Sequence, residues 1–512
     1  MAEVQVPPAD AYNQELVRNV HPADWRNPMP REPYDLLVIG AATAGLITSL
    51  LASSLGARVG LVERHLLGGD CLNVGCVPSK ALIAAARQVH TARRASRLGL
   101  RVADSPPNFG AVMARLRAIR ARISADDAAR RYRDEFGVDV HLGHARFTGA
   151  EQVEVDGTAL RAHQVVVASG ARAAAPPIPG LAEAGYLDNE TVFQLTERPP
   201  RLAVIGAGPI GCELSQAFQR LGSQVHLLEA APQILVREDA DAAQLVAQSL
   251  LEDGVELVLG CRIDKVERQG SARIVELVAA DGSPRALEVD QVLVGVGRAP
   301  NVEELGLERV GVEVDPRRGV RVNDFLRTRN RRIWAAGDVC MDWKFTHAAD
   351  AAAKIVVQNA LFALGPLGRR RLSKLRVPWC TYTDPEIAHV GLYPWQAAER
   401  GMDLATFVVP VARANRAVTD GEERGFVKVH VRKGTDRILG ATVVASHAGE
   451  LITQLTLAME RGVGLGAFSR IIYPYPTQGE AIQAAAGAYT RTRLTPLAAW
   501  LLRGMIRLRR RS

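Results

Sequence analysis

At 512 residues, 47% of them apolar and 23% charged, the chain is too long for one hydrophobic core and too ordinary in composition to be disordered, collagenous or fibrous; roughly three domains are expected. The formal charge of +8 is concentrated at the C-terminal end, where residues 491–512 hold seven arginines and no acid, so the body is close to neutral and a nucleic-acid groove along it is excluded. Six cysteines are too few for the framework of a small secreted scaffold and point to a reducing, cytoplasmic setting.

Residues 1–33 carry prolines and acids but no apolar stretch followed by a small-residue cleavage site, and read as an extension, not a signal peptide. Residues 36–57 are uncharged and long enough to cross a bilayer. They open with the strand formers LLVI, however, and then set Gly40, Thr43 and Gly45 where a strand turns into a helix, so a soluble unit is expected. That unit reads Gly40-Ala-Ala-Thr-Ala-Gly45, an apolar helix, and the strand RVGLVE ending at Glu63. It recurs as Gly206-Ala-Gly208-Pro-Ile-Gly211, a helix, and the strand QVHLLE ending at Glu229, with 23 residues from first glycine to acid in both copies. Such βαβ openings let the backbone approach a pyrophosphate at a helix N-terminus, while the acid accepts from ribose hydroxyls. Two dinucleotide sites are implied. In the first copy Ala42 replaces the middle glycine, and its methyl is expected to reduce clearance to phosphate.

Residues 80–135 alternate apolar and Arg/Ala positions at helical spacing, predicting two long helices with solvated arginine faces. Residues 138–170 read as short strands ending in VVVASGA, and 255–297 as strands ending in VLVGVG at Gly297. Residues 365–378 look like a linker, and a separate α+β domain without a glycine fingerprint follows from Trp379 to about Ala488.

The string GGDCLNVGCVPSK, residues 68–80, holds Cys71 and Cys76 five apart. In a regular helix that spacing leaves the Cα atoms roughly 8 to 9 Å apart, beyond the reach of a disulfide. A bridged pair therefore needs a broken helix, which Gly75 and Pro78 suit, and a distorted bridge is easier to reduce. A helix beginning near Pro78 would lower thiol pKa values. A metal site and two unrelated buried cysteines are the alternatives; no second Cys/His cluster stands at metal-ligand spacing, and no metal ligands are expected. Because a disulfide is a poor hydride acceptor, the pair following the first dinucleotide fold predicts FAD there, a nicotinamide nucleotide in the second fold, and electrons passing from nicotinamide to flavin to disulfide.

From about Tyr34 to Gly487 the chain resembles the flavoprotein disulfide reductases: dihydrolipoamide dehydrogenase, glutathione reductase and mercuric reductase. GGDCLNVGCVPSK, the ASG of Ala168, Ser169 and Gly170, Thr328 with RIWAAGDVC, VPWCTYTDPEIAHVG and ILGATVVASHAGELI all carry the likeness. The resemblance implies an α/β fold with two Rossmann-like dinucleotide-binding domains and a C-terminal α+β dimerisation domain. The expected boundaries are 34–175 with 299–370 for FAD, 176–298 for NAD(P), and 376–490 for a homodimer interface. It further implies Cys71 as the interchange thiol, Cys76 as the charge-transfer thiol, and Lys80 paired with Glu213 near the flavin. Gly40, Ala42, Gly45, Glu63, Gly69, residues 168–170, Gly337 and Asp338 would contact FAD. Gly206, Gly208, Gly211, Glu229 and Gly297 would contact NADH or NADPH, the carboxylate of Glu229 favouring NADH.

The C-terminal motif differs from that of the dithiol-oxidising members, which have a His-Pro-Thr segment and a later glutamate. Here Tyr475 stands in the histidine's place before Pro476, Thr477 and Glu480. A phenol near 10 is a poor base at neutral pH where an imidazole near 6.5 is a good one. Mercuric reductases carry tyrosine in this position, yet the terminal cysteine pair of that lineage is missing. The electron acceptor is thus expected to be a metal ion or a small disulfide, with dihydrolipoamide dehydrogenase and a membrane-associated electron-transfer partner as alternatives. Cys212, Cys261, Cys340 and Cys380 read as small hydrophobes, and His347 as structural. In residues 491–512, Leu494, Leu497, Leu501, Met505 and Leu508 share one side of a helical wheel and Arg503, Arg507 and Arg510 the other. This basic amphipathic helix is expected either to lie on an anionic membrane surface or to dock on the body.

Overall fold

Asp10 caps α1 (Ala11–Val20) by accepting a hydrogen bond from the Asn13 backbone amide, and Leu16 and Val20 turn inward from it. The computed structural model describes residues 4–30, 33–102, 105–149, 152–365 and 367–510; residues 1–3, 31 and 32 of the expected extension, 366 of the expected linker, and 511 and 512 of the tail lie outside them. The chain divides into two units, Met1–Pro232 with Asp253–Leu375, and Gln233–Glu252 with Arg376–Ser512.

In the first unit the run YDLLVI forms β1 (Tyr34–Ile39), followed by α2 (Thr43–Ser54) and β2 (Val59–Glu63). The cysteine string folds into two helices, α3 (Gly69–Asn73) and α4 (Cys76–Arg94), and α5 (Phe109–Ser124) follows. Strands β3 (Asp139–Leu142), β4 (Ala145–Gly149), β5 (Gln152–Val155) and β6 (Thr158–Val167) complete a sheet of order β3-β2-β1-β6-β5-β4. Its β3-β2-β1-β6 part is parallel, and β6 turns antiparallel where its first residues meet β5. The near-continuous apolar burial of β1 and β2 is what a parallel sheet covered on both faces requires.

The second copy of the motif builds β7 (Arg201–Ile205), α6 (Pro209–Arg220) and β8 (Gln224–Glu229), which join β9 (Glu256–Leu259) and β10 (Gln291–Val294) in a parallel sheet of order β9-β8-β7-β10. Strand β11 (Ile333–Ala335) returns to pair with β6, and α7 (Thr346–Val357) follows. In both copies the helix lies so close to the preceding turn that only glycine fits: a Cβ on Gly45 would fall 1.8 Å from the Gly40 carbonyl oxygen, and one on Gly211 1.9 Å from that of Gly206. The two glycine strings are structurally the same joint.

The solvated arginine faces expected along residues 80–135 are only partly so. Arg117 and Arg120 on α5 are 6% and 1% exposed, because α1 from the N-terminal extension covers that face; Arg117 pairs with Asp10.

The second unit is an antiparallel sheet of order β12-β13-β16-β15-β14, formed by β12 (Trp379–Thr381), β13 (Glu386–Gly391), β14 (Leu404–Pro410), β15 (Phe426–Arg432) and β16 (Ile438–Ala445). Helices α8 (Ala448–Arg461) and α9 (Glu480–Thr492) pack on it in one apolar core. The tail helix α10 (Pro496–Arg509) is formed, and none of its residues is buried. No helix of the described residues is long and apolar enough to cross a membrane.

Candidate active site

The break between α3 and α4 falls at Val74 and Gly75, so the two cysteines are not on one regular helix. Cys71 lies in α3, and Cys76 opens the 19-residue α4, two residues earlier than Pro78 suggests. The sulfurs are close enough for the Cys71 thiol to donate to Cys76. That hydrogen bond, then the Thr346 hydroxyl and the charges of Lys80 and Arg298, bring the Cys76 pKa down to about 6, in keeping with a thiol at a helix N-terminus. The same hydrogen bond and burial push Cys71 up. One proton is thus shared unequally: Cys76 is the thiolate and Cys71 the thiol.

Lys80, one turn along α4, pairs with Glu213 of α6 at 2.7 Å. Glu213 is 5% exposed, and a buried carboxylate of this kind needs such a partner. Three charged side chains absent from the sequence reading complete the surroundings. Arg298 reaches Asp70 at 3.0 Å and Asp338 at 3.2 Å, tying the cysteine string to the Gly337-Asp338 turn. Burial pushes both carboxyls up despite that guanidinium. Asp127, beyond α5, is pushed up to about 6 by burial and then by Asp126; it lies beside Gly68, where a Cβ would fall 2.9 Å from its Oδ2. Asp70 and Arg298 were in sight, one inside the cysteine string and one after Gly297, but nothing in the spacing pairs them across more than 200 residues. Asp127 had no signal at all.

Glu63 and Glu229 occupy equivalent places. Glu63 accepts from the amides of Ala41 at 2.7 Å and His65 at 2.8 Å, and Glu229 from those of Ala207 at 2.8 Å and Ala231 at 2.9 Å. Glu63 borders a cavity of about 260 Å³ lined also by Gly40, His144, Ser169, Asn301 and Glu304. Ser169, between Ala168 and Gly170, donates to the Asn301 carbonyl at 2.7 Å, which fixes that wall. A carboxylate held by two amides keeps lone pairs for ribose hydroxyls, and the cavity admits a nucleoside, so these residues fit the adenosine half of FAD. At Gly208 a Cβ would meet nothing within 4 Å, so the turn beside Glu229 is open to a pyrophosphate. Ala42, the equivalent of Gly208, instead turns its methyl to the cysteine string: a Cβ on Gly69 would fall 2.3 Å from it.

Residues 34–353 match the pyridine nucleotide-disulphide oxidoreductase family, and residues 377–486 match its dimerisation domain. The chain belongs to this family. It is 34% identical over 456 residues to a mercuric reductase of Lysinibacillus sphaericus, covering 88% of this chain and 82% of that one. It is 35% identical over 463 residues to a dihydrolipoyl dehydrogenase of Thermus scotoductus, covering 89% and 97%. Among solved structures it resembles the Cu(II) complex of the HOCl-induced flavoprotein disulfide reductase RclA from Escherichia coli, with a TM-score of 0.79, 27% identity, and 89% and 99% of the two chains covered. This oxidoreductase is therefore a flavoprotein of the disulfide reductase class that binds FAD and uses NAD(P)H.

The remaining sequence candidates sit as follows. Tyr475 and Glu480 belong to the second unit, where Tyr475 is 71% exposed and accepts from Asn415 Nδ2 at 3.0 Å, and Glu480 opens α9. Cys212 and Cys261 are buried, and Cys340 and Cys380 are partly buried. His347 stacks on Phe345. No group of side chains suited to a metal ion occurs among the described residues.

Proposed function

We propose that this oxidoreductase passes electrons from NADH, through FAD, to a Cys71–Cys76 disulfide and on to a thiophilic metal ion of the Hg(II) or Cu(II) kind. Tyr475 carries the choice of acceptor. Where a dithiol-oxidising relative needs an imidazole to take protons from substrate thiols, this chain offers an open phenol, a poor base at neutral pH. The mercuric reductase relatives and the Cu(II)-bound structural neighbour favour the same class of acceptor.

When bound, FAD supplies the two-electron step between nicotinamide and sulfur. The chain's part is to hold the pair in distinct states: Cys76 as thiolate beside Lys80 and Arg298, Cys71 as the protonated sulfur that meets the acceptor. Gly40, Ala42, Gly45, Gly69, residues 168–170, Gly337 and Asp338 would hold FAD, with Glu63 to accept from its ribose. Gly206, Gly208, Gly211 and Gly297 would hold the nicotinamide nucleotide, and Glu229 would repel a 2′-phosphate.

The test is anaerobic reduction by NADH and by NADPH, followed by Hg(II), Cu(II), glutathione disulfide and quinone, with dihydrolipoamide tested against NAD, all repeated with Cys71→Ala. Metal reduction that collapses in Cys71→Ala is expected. Undiminished metal reduction in that variant, or rapid NAD-linked oxidation of dihydrolipoamide, overturns the reading. Glu229→Arg is expected to shift preference toward NADPH.

A cytoplasmic homodimer formed through residues 376–490 belongs to this reading; Ile472, 95% exposed, suits a surface that a second copy covers. The tail is read as a membrane-surface helix. Leu497, Leu501, Met505 and Leu508 of α10 are all exposed, and Arg503, Arg507 and Arg510 on the other side of the wheel complement anionic headgroups. Deleting residues 491–512 is expected to abolish sedimentation with phosphatidylserine vesicles; unchanged sedimentation removes the membrane contact.

A further inference from the structure

The family match begins at residue 34, yet the residues before it meet the segment that leads into the cysteine string at several points. The Leu67 amide donates to the Val20 carbonyl at 3.2 Å. The His21 ring bonds the His65 carbonyl. The third contact runs through the buried guanidinium of Arg120. Its Nη2 donates to Asn13 Oδ1 of α1 and its Nη1 to the carbonyl of Asn73, both at 2.6 Å. Asn73 closes α3 two residues after Cys71, and its own amide donates back to the Leu67 carbonyl at 3.0 Å and the Gly69 carbonyl at 2.9 Å. Asn19 adds a bond to Ser124 at the end of α5.

The contacts through Val20, His21 and Arg120 converge on residues 65–73, the segment that carries Cys71 up to the break before Cys76. A buried arginine is costly unless its donors are satisfied, and burial lowers the pKa of this one to about 10. Two of its donors go to an extension residue and to the backbone of the cysteine segment. We propose that the N-terminal extension and Arg120 form a brace that fixes the segment carrying Cys71 against Cys76 and thereby sets the reduction equilibrium of the disulfide. Arg120 is a positioning residue, since its recorded hydrogen bonds go to Asn13 and the Asn73 carbonyl and to neither sulfur. The physical reason is effective concentration: the more tightly one thiol is held at the other, the more the closed disulfide is favoured over two free thiols. Loosening the segment shifts the balance toward the dithiol.

The inference rests on the redox-disulfide reading, and its test separates the two. The purified FAD-bound protein is equilibrated with glutathione and glutathione disulfide. In this exchange the Cys71–Cys76 bond breaks as a glutathione disulfide bond forms, two glutathione thiols giving up the electrons and protons that the cysteines take up. The dithiol fraction is read by alkylation and mass spectrometry, and flavin absorbance and thermal midpoint are recorded alongside. Asn13→Ala removes the extension's acceptor, and Arg120→Met removes the link itself. Each is expected to shift the equilibrium toward dithiol about tenfold, or about 30 mV for a two-electron couple. Asn13→Asp keeps an acceptor for Arg120 but loses the Nδ2 donor to the carbonyls of Pro8 at 2.8 Å and Val6 at 3.3 Å, and is expected to shift the equilibrium clearly less than Asn13→Ala. An unshifted equilibrium in folded, flavin-bound Asn13→Ala overturns the brace, as does an Asn13→Asp shift as large as that of Asn13→Ala. If Arg120→Met does not fold, the Asn13 pair decides. A wild-type protein whose two cysteines never close overturns the redox-disulfide reading instead.

Discussion

The two dinucleotide folds begin with the same joint and diverge at one atom. In both, a helix glycine packs on the preceding turn, and the acid at the end of the second strand accepts from two backbone amides. The difference is at the middle position, where Gly208 faces open space and Ala42 turns a methyl against Gly69 of the cysteine string. The first fold is roofed by the redox segment; the second is left open. A roofed site suits a group that stays bound through every turnover, and an open one suits a nucleotide that must enter and leave. The departure of Ala42 from the glycine pattern thus has a packing reason in the segment above it.

The largest effect is expected from breaking the roof. Gly69→Ala forces a side chain at a φ of +54° and 2.3 Å from Ala42 Cβ, which is expected to cost about 2 to 4 kcal/mol from backbone and overpacking together and to release flavin on gel filtration. Ala42→Gly in the same chain removes half of the collision, and is expected to recover part of the loss. The matching change in the second fold, Gly208→Ala, falls at a φ of −73° with nothing within 4 Å. There the thermal midpoint is expected to stay nearly fixed while NAD(P)H binding weakens about tenfold, a methyl now occupying the pyrophosphate's approach. Equal destabilisation by the two alanines would erase the distinction between roofed and open folds.

A second test asks how dry the roof is. Asp127, against Gly68, has a carboxyl pushed up to about 6 from an ordinary 3.8. The folded protein therefore holds the extra proton more tightly than the unfolded chain. The stability this gives is full below about pH 4 and is lost as pH rises through about 6, up to roughly 3 kcal/mol. Asp127→Asn cannot ionise. Its thermal midpoint is expected to exceed that of wild type at pH 8 and to converge with it at pH 4, and parallel curves would show that this corner is wet.

How much of this was legible follows from distance along the chain. The glycine strings, the closing acids and the cysteine pair are local patterns, each within about 25 residues and each with a geometric meaning of its own. The helix break at Gly75 was legible for the same reason. Lys80 with Glu213 was reached by resemblance, and the geometry pairs them. Arg298 with Asp70 and Asp338, and Arg120 with Asn13 and Asn73, join residues far apart in sequence. No periodicity reports such pairs. The reading of α5 as carrying a solvated arginine face holds for Arg115 and Arg122 but not for Arg117 and Arg120, because a helix wheel cannot tell that α1 will cover them; Arg120 looks like its exposed neighbours until the extension is in place.

The smallest expected effect measures how far the open fold reaches into the roofed one. Cys76, lowered to about 6 first by the Cys71 thiol and then by Thr346, Lys80 and Arg298, is the thiolate of the reduced pair. Its titration can be followed by ultraviolet thiolate absorbance. Removing the leading cause with Cys71→Ser leaves a hydroxyl that still donates, so only a modest rise is expected there, whereas Lys80→Met removes a cation and is expected to raise the midpoint by about one unit or less. Glu213→Gln acts from the second fold, since α6 supplies the carboxylate that anchors Lys80. Its neutral amide still accepts from Lys80 while cancelling a negative charge that opposes the thiolate, so the midpoint is expected to fall by a few tenths of a unit. A rise in Glu213→Gln would mean that the carboxylate's main role is to hold Lys80 in position beside the sulfur, making the second fold a structural support of the thiolate and not merely a neighbouring charge.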